Sequence, residues 1–332
     1  MRRGIAVIVA GIALYVVLPT FLHVIGSWPR LRSMSPWWLV VLVLAQCCSF
    51  ASTISLLAMV VRTRKWFAVT CALMTGNAVT NVVPAGDAVG AGVQYRMLAV
   101  AGIATDQVAG GLAAASILGV ASVLVLPAFA LPALWGGLSV NADLVRAGEL
   151  GIAGFVLVVG FSVVILTSDR ALRGVARGLQ WLVNLVRRRR RFTSWPQRFV
   201  EQRDLVRAEL GRNWMRATLL VAGNVGLDYV SLLAALRATG TRSNASLVLL
   251  AFAATTVIAY FPITPGGIGV VEASLSGLLV LAGVPSTDAL EATFAFRLAT
   301  YWLPIIAGGT LYVFFRRRYG PLGAPIADGS GA

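Results

Sequence analysis

Five ionisable residues stand inside long apolar stretches of this 332-residue chain: Asp87, Arg96, Asp228, Glu272 and Arg297. Arg96 and Arg297 have the chemistry of phosphate binders, because a guanidinium stays charged and grips phosphate through two parallel hydrogen bonds. Asp87 and Glu272 then either carry a proton or keep the arginines paired when no phosphate is bound. The alternative is structural: the four charges neutralise one another and lock their helices together. Asp228 is alone in its apolar block, and two readings of it stay open, a proton site facing a cavity or a partner for Arg96 or Arg297. Glu291 and Arg216 lie nearer the edges of their blocks.

That chemistry presupposes a bilayer, and the composition supplies one. Apolar residues make up 58% of the chain and charged residues 12%, with a mean hydropathy of +0.81. A soluble domain carries about 25% charged residues, so that class is excluded. Three cysteines, no Gly-X-Y period and high hydrophobicity also exclude disulfide-rich, collagenous and disordered chains. A charge inside a bilayer costs roughly 2.5 to 3.5 kcal/mol on insertion scales, which makes the five residues functional candidates by default.

Six apolar blocks approach the ~20 residues a helix needs to cross hydrocarbon. They are Gly4 to Ile25, Trp37 to Val61, Gln107 to Ala133, Gly151 to Ser168, Trp214 to Leu236 and Ala292 to Phe315. The first is too long for a signal h-region and lacks a small-x-small cleavage site, so it reads as an uncleaved anchor helix. Two further regions, Trp66 to Val100 and Leu247 to Val284, are interrupted by Pro84 and Gly86 and by Pro262, Pro265, Gly266 and Gly267. Each divides there into pieces too short for comfortable spans, and broken backbone at membrane depth survives only where protein or a watery cavity covers it. They read as hairpins of half-helices. N-termini after Pro84 and Pro265 would offer N–H donors and a positive dipole end to an anion, with Gly86, Gly266 and Gly267 permitting close approach.

The net charge of +15 comes from 27 Arg and one Lys, clustered between apolar blocks. Such clusters are retained in the cytoplasm. Placing Arg2, Arg3, the Arg62–Lys65 group, the arginines from Arg170 to Arg212 and Arg316 to Arg318 inside puts 20 basic residues there against five outside. Both termini are then cytoplasmic. The order block, hairpin, block recurs at offsets of 177 to 185 residues, with Pro84 and Gly86 lying 181 before Pro265 and Gly267. With this sidedness the copies, about 37–133 and 214–315, are inverted, an architecture in which transporters place the site where half-helices meet. The expected fold is therefore all-α: a polytopic membrane protein of about six full transmembrane helices and two half-helix hairpins. A single domain spans 1–318, with a basic loop at 169–213 and a disordered tail at 319–332.

The stretch Thr75-Gly76-Asn77-Ala78-Val79-Thr80-Asn81-Val82-Val83-Pro84-Ala85-Gly86-Asp87, continuing to Gln94-Tyr95-Arg96-Met97-Leu98, resembles a signature of a flippase-like family. That family is named for the transmembrane region of bacterial lysylphosphatidylglycerol synthases. Phe261-Pro262-Ile263-Thr264-Pro265-Gly266-Gly267-Ile268-Gly269-Val270-Val271-Glu272-Ala273, followed by Phe296-Arg297-Leu298-Ala299-Thr300-Tyr301-Trp302-Leu303-Pro304, resembles its second signature. The resemblance covers about residues 5 to 315 and implies a bacterial cell-membrane domain that moves a phospholipid or lipid-linked head group between leaflets. In the synthases a soluble aminoacyl-transfer domain follows. No such domain stands in this sequence, so lipid aminoacylation does not carry over and no enzyme activity or catalytic residue is expected.

Lipid translocation in cell-envelope biogenesis is thus the leading function, with Asn77, Pro84, Gly86, Asp87, Arg96, Asp228, Pro265, Gly266, Gly267, Glu272 and Arg297 as site residues. The alternative is a membrane scaffold or accessory subunit for a lipid- or polyprenyl-linked glycosyltransferase, recruiting a cytoplasmic synthase through the basic loop. A polyprenyl-phosphate sugar transferase would place acids in an early external loop, and Ser27 to Ser35 holds none. The glycine run at Pro265 lacks the Lys-Ser/Thr and βαβ setting of a nucleotide loop. The charge comes without a nucleic-acid recognition module. Cys47, Cys48 and Cys71 read as small core residues, and with His23 the sole histidine no metal or cofactor is expected. Expected partners are a membrane phospholipid or lipid-linked saccharide, the synthase, and a second copy of the chain.

Overall fold

The computed structural model describes residues 34–83, 86–119, 195–259 and 264–323. Blocks Gly4 to Ile25 and Gly151 to Ser168, Pro84, Pro262, most of the basic loop and the last nine residues lie outside them. The described residues are helical and contain no strand. Helix α1 is Pro36–Val60, α2 Trp66–Val82 and α3 Gly86–Val100; α4 covers 105–119. Then come α5, Trp195–Ala238, and α6, Ala245–Ala259, followed by α7, Val270–Leu281, α8, Ser286–Arg297, and α9, Leu303–Tyr319.

Among the described residues, three stretches are long and apolar enough to cross a membrane: Pro36–Val60, Asn213–Ala238 and Ser286–Tyr319. The chain is a polytopic all-α membrane protein. α1 starts with Pro36 in its first turn, where the missing N–H costs nothing. α5 runs further back than the apolar block, and its helical geometry breaks at Asn213, so the membrane-crossing part begins close to Trp214. The last crossing starts six residues before Ala292, because α8 and α9 join through a wide turn at Leu298–Trp302. Pro304 explains that turn: without an N–H it cannot bond the Thr300 carbonyl, and the Leu303 N–H instead reaches five residues back to the Leu298 carbonyl. The four hairpin arms have 17, 15, 15 and 12 residues, at or below the lower end of the range for a full span.

α1 and α5 form the most extensive contact and run antiparallel. The Ser35 N–H donates to the Ala238 carbonyl at 2.9 Å at one end, and the Ser231 hydroxyl donates to the Leu42 carbonyl at 3.3 Å further along. Lipid gives no hydrophobic drive to helix association, so close packing of small residues and interhelical hydrogen bonds hold such a pair. Ala45, Ser49, Gly223 and Ser231 serve that role here. Outward-facing Leu44, Leu219, Ile306 and Phe314 remain exposed as a lipid-facing surface, while Trp37, Trp66 and Trp214 are exposed near helix starts, where tryptophan sits at membrane interfaces.

Among the described residues, two large apolar cores flank the pair, and a small third cluster lies at Leu250 and Ala282. One large core joins the start of α1 and the end of α5 to α6, α7 and α8. The other joins the end of α1 to α2, α3, the start of α4 and Phe315. The hairpins therefore attach at opposite ends of an antiparallel pair.

Candidate functional site

The break in the second hairpin is built from glycines and a charged pair. Pro265–Gly267 forms a tight turn, with the Gly267 N–H donating to the Thr264 carbonyl at 3.0 Å. Gly266 has φ +58°, and a Cβ there would lie 2.5 Å from Tyr301 Cε2 and 2.6 Å from the Asn81 carbonyl oxygen. Only glycine fits that conformation and that space. Asn81 is the penultimate residue of α2, so the end of the first hairpin's leading arm meets the turn of the second.

Tyr301, in the wide turn after α8, closes the junction. Its hydroxyl donates to the Asn81 carbonyl at 2.8 Å, and the Asn81 amide donates back to the Tyr301 carbonyl at 3.2 Å. Arg297 lies over the Tyr301 ring, 4.6 Å from its centroid. Its Nε donates to Glu272 Oε1 at 2.7 Å and its Nη2 to the Gly266 carbonyl at 2.9 Å. The other Glu272 oxygen accepts the Gly269 N–H at 2.6 Å, at the start of α7. A carboxylate thus sits between an arginine and a helix N-terminus, the two groups that favour an anion. The side chains of Arg297 and Glu272 are 13% and 18% exposed, so the pair is largely covered yet reachable.

Of the expected site residues, Pro265, Gly266, Gly267, Glu272 and Arg297 come together here, and Asn77 lies one turn before Asn81 on α2, half-buried. Gly86 is buried at the first break, where its carbonyl accepts the Thr80 hydroxyl at 3.2 Å. Pro84 falls outside the described residues. In the first hairpin Asp87 and Arg96 do not pair with each other. Asp87 is exposed in the first turn of α3, and Arg96 stands nine residues later on the same helix, about 13 Å away along its axis. Arg96 Nε instead donates to the Leu322 carbonyl at 2.8 Å. Since the helix from Arg297 to Tyr319 rises roughly 30 Å, Arg96 and Arg297 do not face one phosphate. The stretch expected to open a disordered tail is ordered as far as Gly323, with Tyr319 and Leu322 packed against the second core.

Asp228 pairs with neither arginine. Its Oδ1 accepts the Ser49 hydroxyl at 2.6 Å and the Gln46 amide at 3.0 Å, both from α1. Asn224, one turn earlier on α5, donates to Ser49 Oγ at 2.7 Å. Gln46, Ser49, Asn224, Asn81 and Tyr301 were not among the expected site residues. Polar side chains within the Trp37–Val61 block were a signal for the first two, and Asn81 and Tyr301 stood inside the two signatures.

Comparison with known proteins agrees with this architecture. A UPF0104 membrane protein of Pyrococcus horikoshii is 35% identical over 78 residues, which are 24% of this chain. The chain covers 23% of that relative, so the whole relative's role does not transfer with the match. No solved structure matches. The family model of the lysylphosphatidylglycerol synthase transmembrane region matches residues 6–308, and the chain belongs to that family.

Proposed function

We propose that this protein moves a phospholipid, or the head group of a lipid-linked molecule, between the leaflets of a membrane. The observation that carries the reading is the placement of Glu272: its carboxylate fills a seat made of Arg297 and the α7 N-terminus, at the meeting point of two helix breaks. A lipid phosphate has the charge and oxygen geometry for that same seat. Arg297 then exchanges Glu272 for phosphate as the head group passes, and returns to Glu272 when it leaves. The ion pair makes the unliganded junction stable, and its partial exposure lets an anion compete. In this reading the hairpins are re-entrant and approach from opposite leaflets, both chain termini are cytoplasmic, and the junction lies near the midplane.

The test is translocation of a fluorescent phospholipid in proteoliposomes. Wild-type protein is expected to raise the rate above protein-free vesicles. Arg297→Lys and Arg297→Gln are expected to return it to the protein-free level while the protein stays folded by circular dichroism. Unchanged translocation by folded Arg297→Gln rejects the assignment of the seat. No translocation by wild type, with capture of a cytoplasmic glycosyltransferase, favours the scaffold reading.

A further inference from the structure

We propose that Asp228 is a reversible proton-binding site, served by the Ser49 hydroxyl, whose neighbour Asn224 borders a small cavity. The inference starts from Ser49, which is fully buried and has three polar neighbours at hydrogen-bonding distance. Asn224 Nδ2 donates to its Oγ at 2.7 Å, Asp228 Oδ1 lies 2.6 Å away, and the Asn224 carbonyl lies 3.2 Å away. A hydroxyl has one proton to give and two lone pairs to receive. With Asp228 ionised, Ser49 donates to the carboxylate and the contact with the Asn224 carbonyl goes unmade. With Asp228 protonated, the carboxyl donates to Ser49 Oγ, the Ser49 proton turns to the Asn224 carbonyl, and all three contacts are satisfied at once. One rotation of the Ser49 O–H therefore accommodates either protonation state without moving a heavy atom.

The surroundings suit that exchange. Every hydrogen-bond partner of Asp228 among the described residues is neutral. On α5, Tyr229 turns its hydroxyl to the Ala245 carbonyl, and on α1 Cys47 and Cys48 are exposed. On α8, Asp288 accepts from Thr241, Glu291 makes no bond to Asp228, and Arg297 is held by Glu272. α6 has no titratable side chain. Gln46, 2% exposed, gives its amide N–H to Asp228 while its Oε1 is buried without a partner, leaving a second acceptor next to the carboxyl. A cavity of about 100 Å³ begins at Asn224 and is lined by Thr53 and Gln94 among apolar residues. It has room and polar partners for water, which supplies the proton and takes it back: water-borne H⁺ adds to a carboxylate oxygen, and the same O–H bond breaks on release. The direct hydrogen bonds leave no gap for a metal cation between Ser49 and Asp228.

The proposal is independent of lipid transport, and so is its test. Infrared difference spectra of the full-length protein in lipid nanodiscs are recorded while the pH is cycled from mildly alkaline to mildly acidic. Wild type is expected to show a reversible protonated-carboxyl band that is missing from Asp228→Asn and retained in Glu272→Gln. Ser49→Ala, which removes the rotating hydroxyl, is expected to move the midpoint of that band by roughly tenfold in proton concentration. A wild-type spectrum identical to that of Asp228→Asn, or a midpoint unmoved in Ser49→Ala, overturns the proposal. Should Asp228→Asn fail to fold, the Ser49→Ala midpoint decides alone.

Discussion

The two hairpins share a plan, two short helices around a glycine-bearing break, but they are fastened at different places. The first is tied at its open end: Lys65 Nζ donates to the Ala101 and Gly102 carbonyls at 2.8 and 3.1 Å, and Arg96 donates to Leu322. Among the described residues at its break, the Thr80 hydroxyl donates to the Gly86 carbonyl. The second hairpin is tied at its break, by Glu272, Arg297 and the Gly266 carbonyl. A cation bonded to backbone carbonyls at an open end is fastened without a carboxylate that an anion could replace. A charged pair at a break has a competitor, because any anion that reaches Arg297 takes the place of Glu272. In the proposed reading the first hairpin is a bracket and the second is the part that exchanges partners.

Substitutions in the two hairpins should separate these roles, and the largest effect belongs to Arg297. Arg297→Lys keeps the charge but cannot bond Glu272 and Gly266 together while lying over Tyr301. Phospholipid translocation in proteoliposomes is expected to fall at least roughly a hundredfold, about 2.7 kcal/mol. Next is Gly266→Ala, which places a Cβ against Tyr301 and Asn81 in a left-handed conformation. It is expected to cost about 1–3 kcal/mol in stability by thermal or denaturant unfolding and to slow translocation in parallel. Lys65→Met should lower stability by about 1 kcal/mol, the worth of a surface-accessible hydrogen-bond clasp, and leave translocation within roughly twofold. The smallest change is Asp87→Asn. Its side chain is exposed, so stability should stay within about 0.5 kcal/mol. A large translocation defect from Asp87→Asn, or none from Arg297→Lys, would break the contrast between the hairpins.

Helix positions were legible because proline, glycine and the ends of apolar runs are local signals. Trp66 and Val100 bound the first hairpin as expected, and α1 differs from its apolar block by one residue at each end. The start of the last crossing was less legible, because Asp288 and Glu291 lowered the hydropathy of helical residues. The second-hairpin site could be read from its Pro-Gly-Gly turn and from Glu272 and Arg297, but its neutral partners could not. Tyr301 and Asn81 lie 220 residues apart, and their pairing follows from tertiary packing alone. Each copy carries one acid and one base, and the second brings its two together while the first does not: Asp87 and Arg96 share a helix, whereas Glu272 and Arg297 stand on two that pack together. Asp228 was recognised as isolated in sequence, yet its neutral partners come from a helix about 180 residues earlier.

The central claim is that Arg297 exchanges Glu272 for a lipid phosphate, and retention of phospholipid by the detergent-purified protein, measured by native mass spectrometry, tests it most directly. Exchange predicts opposite changes: Glu272→Gln removes the competitor and retains more phospholipid than wild type, while Arg297→Lys removes the receptor and retains less. If the pair is only a lock, the two folded variants will retain the same phospholipid as wild type, and that result would contradict the account.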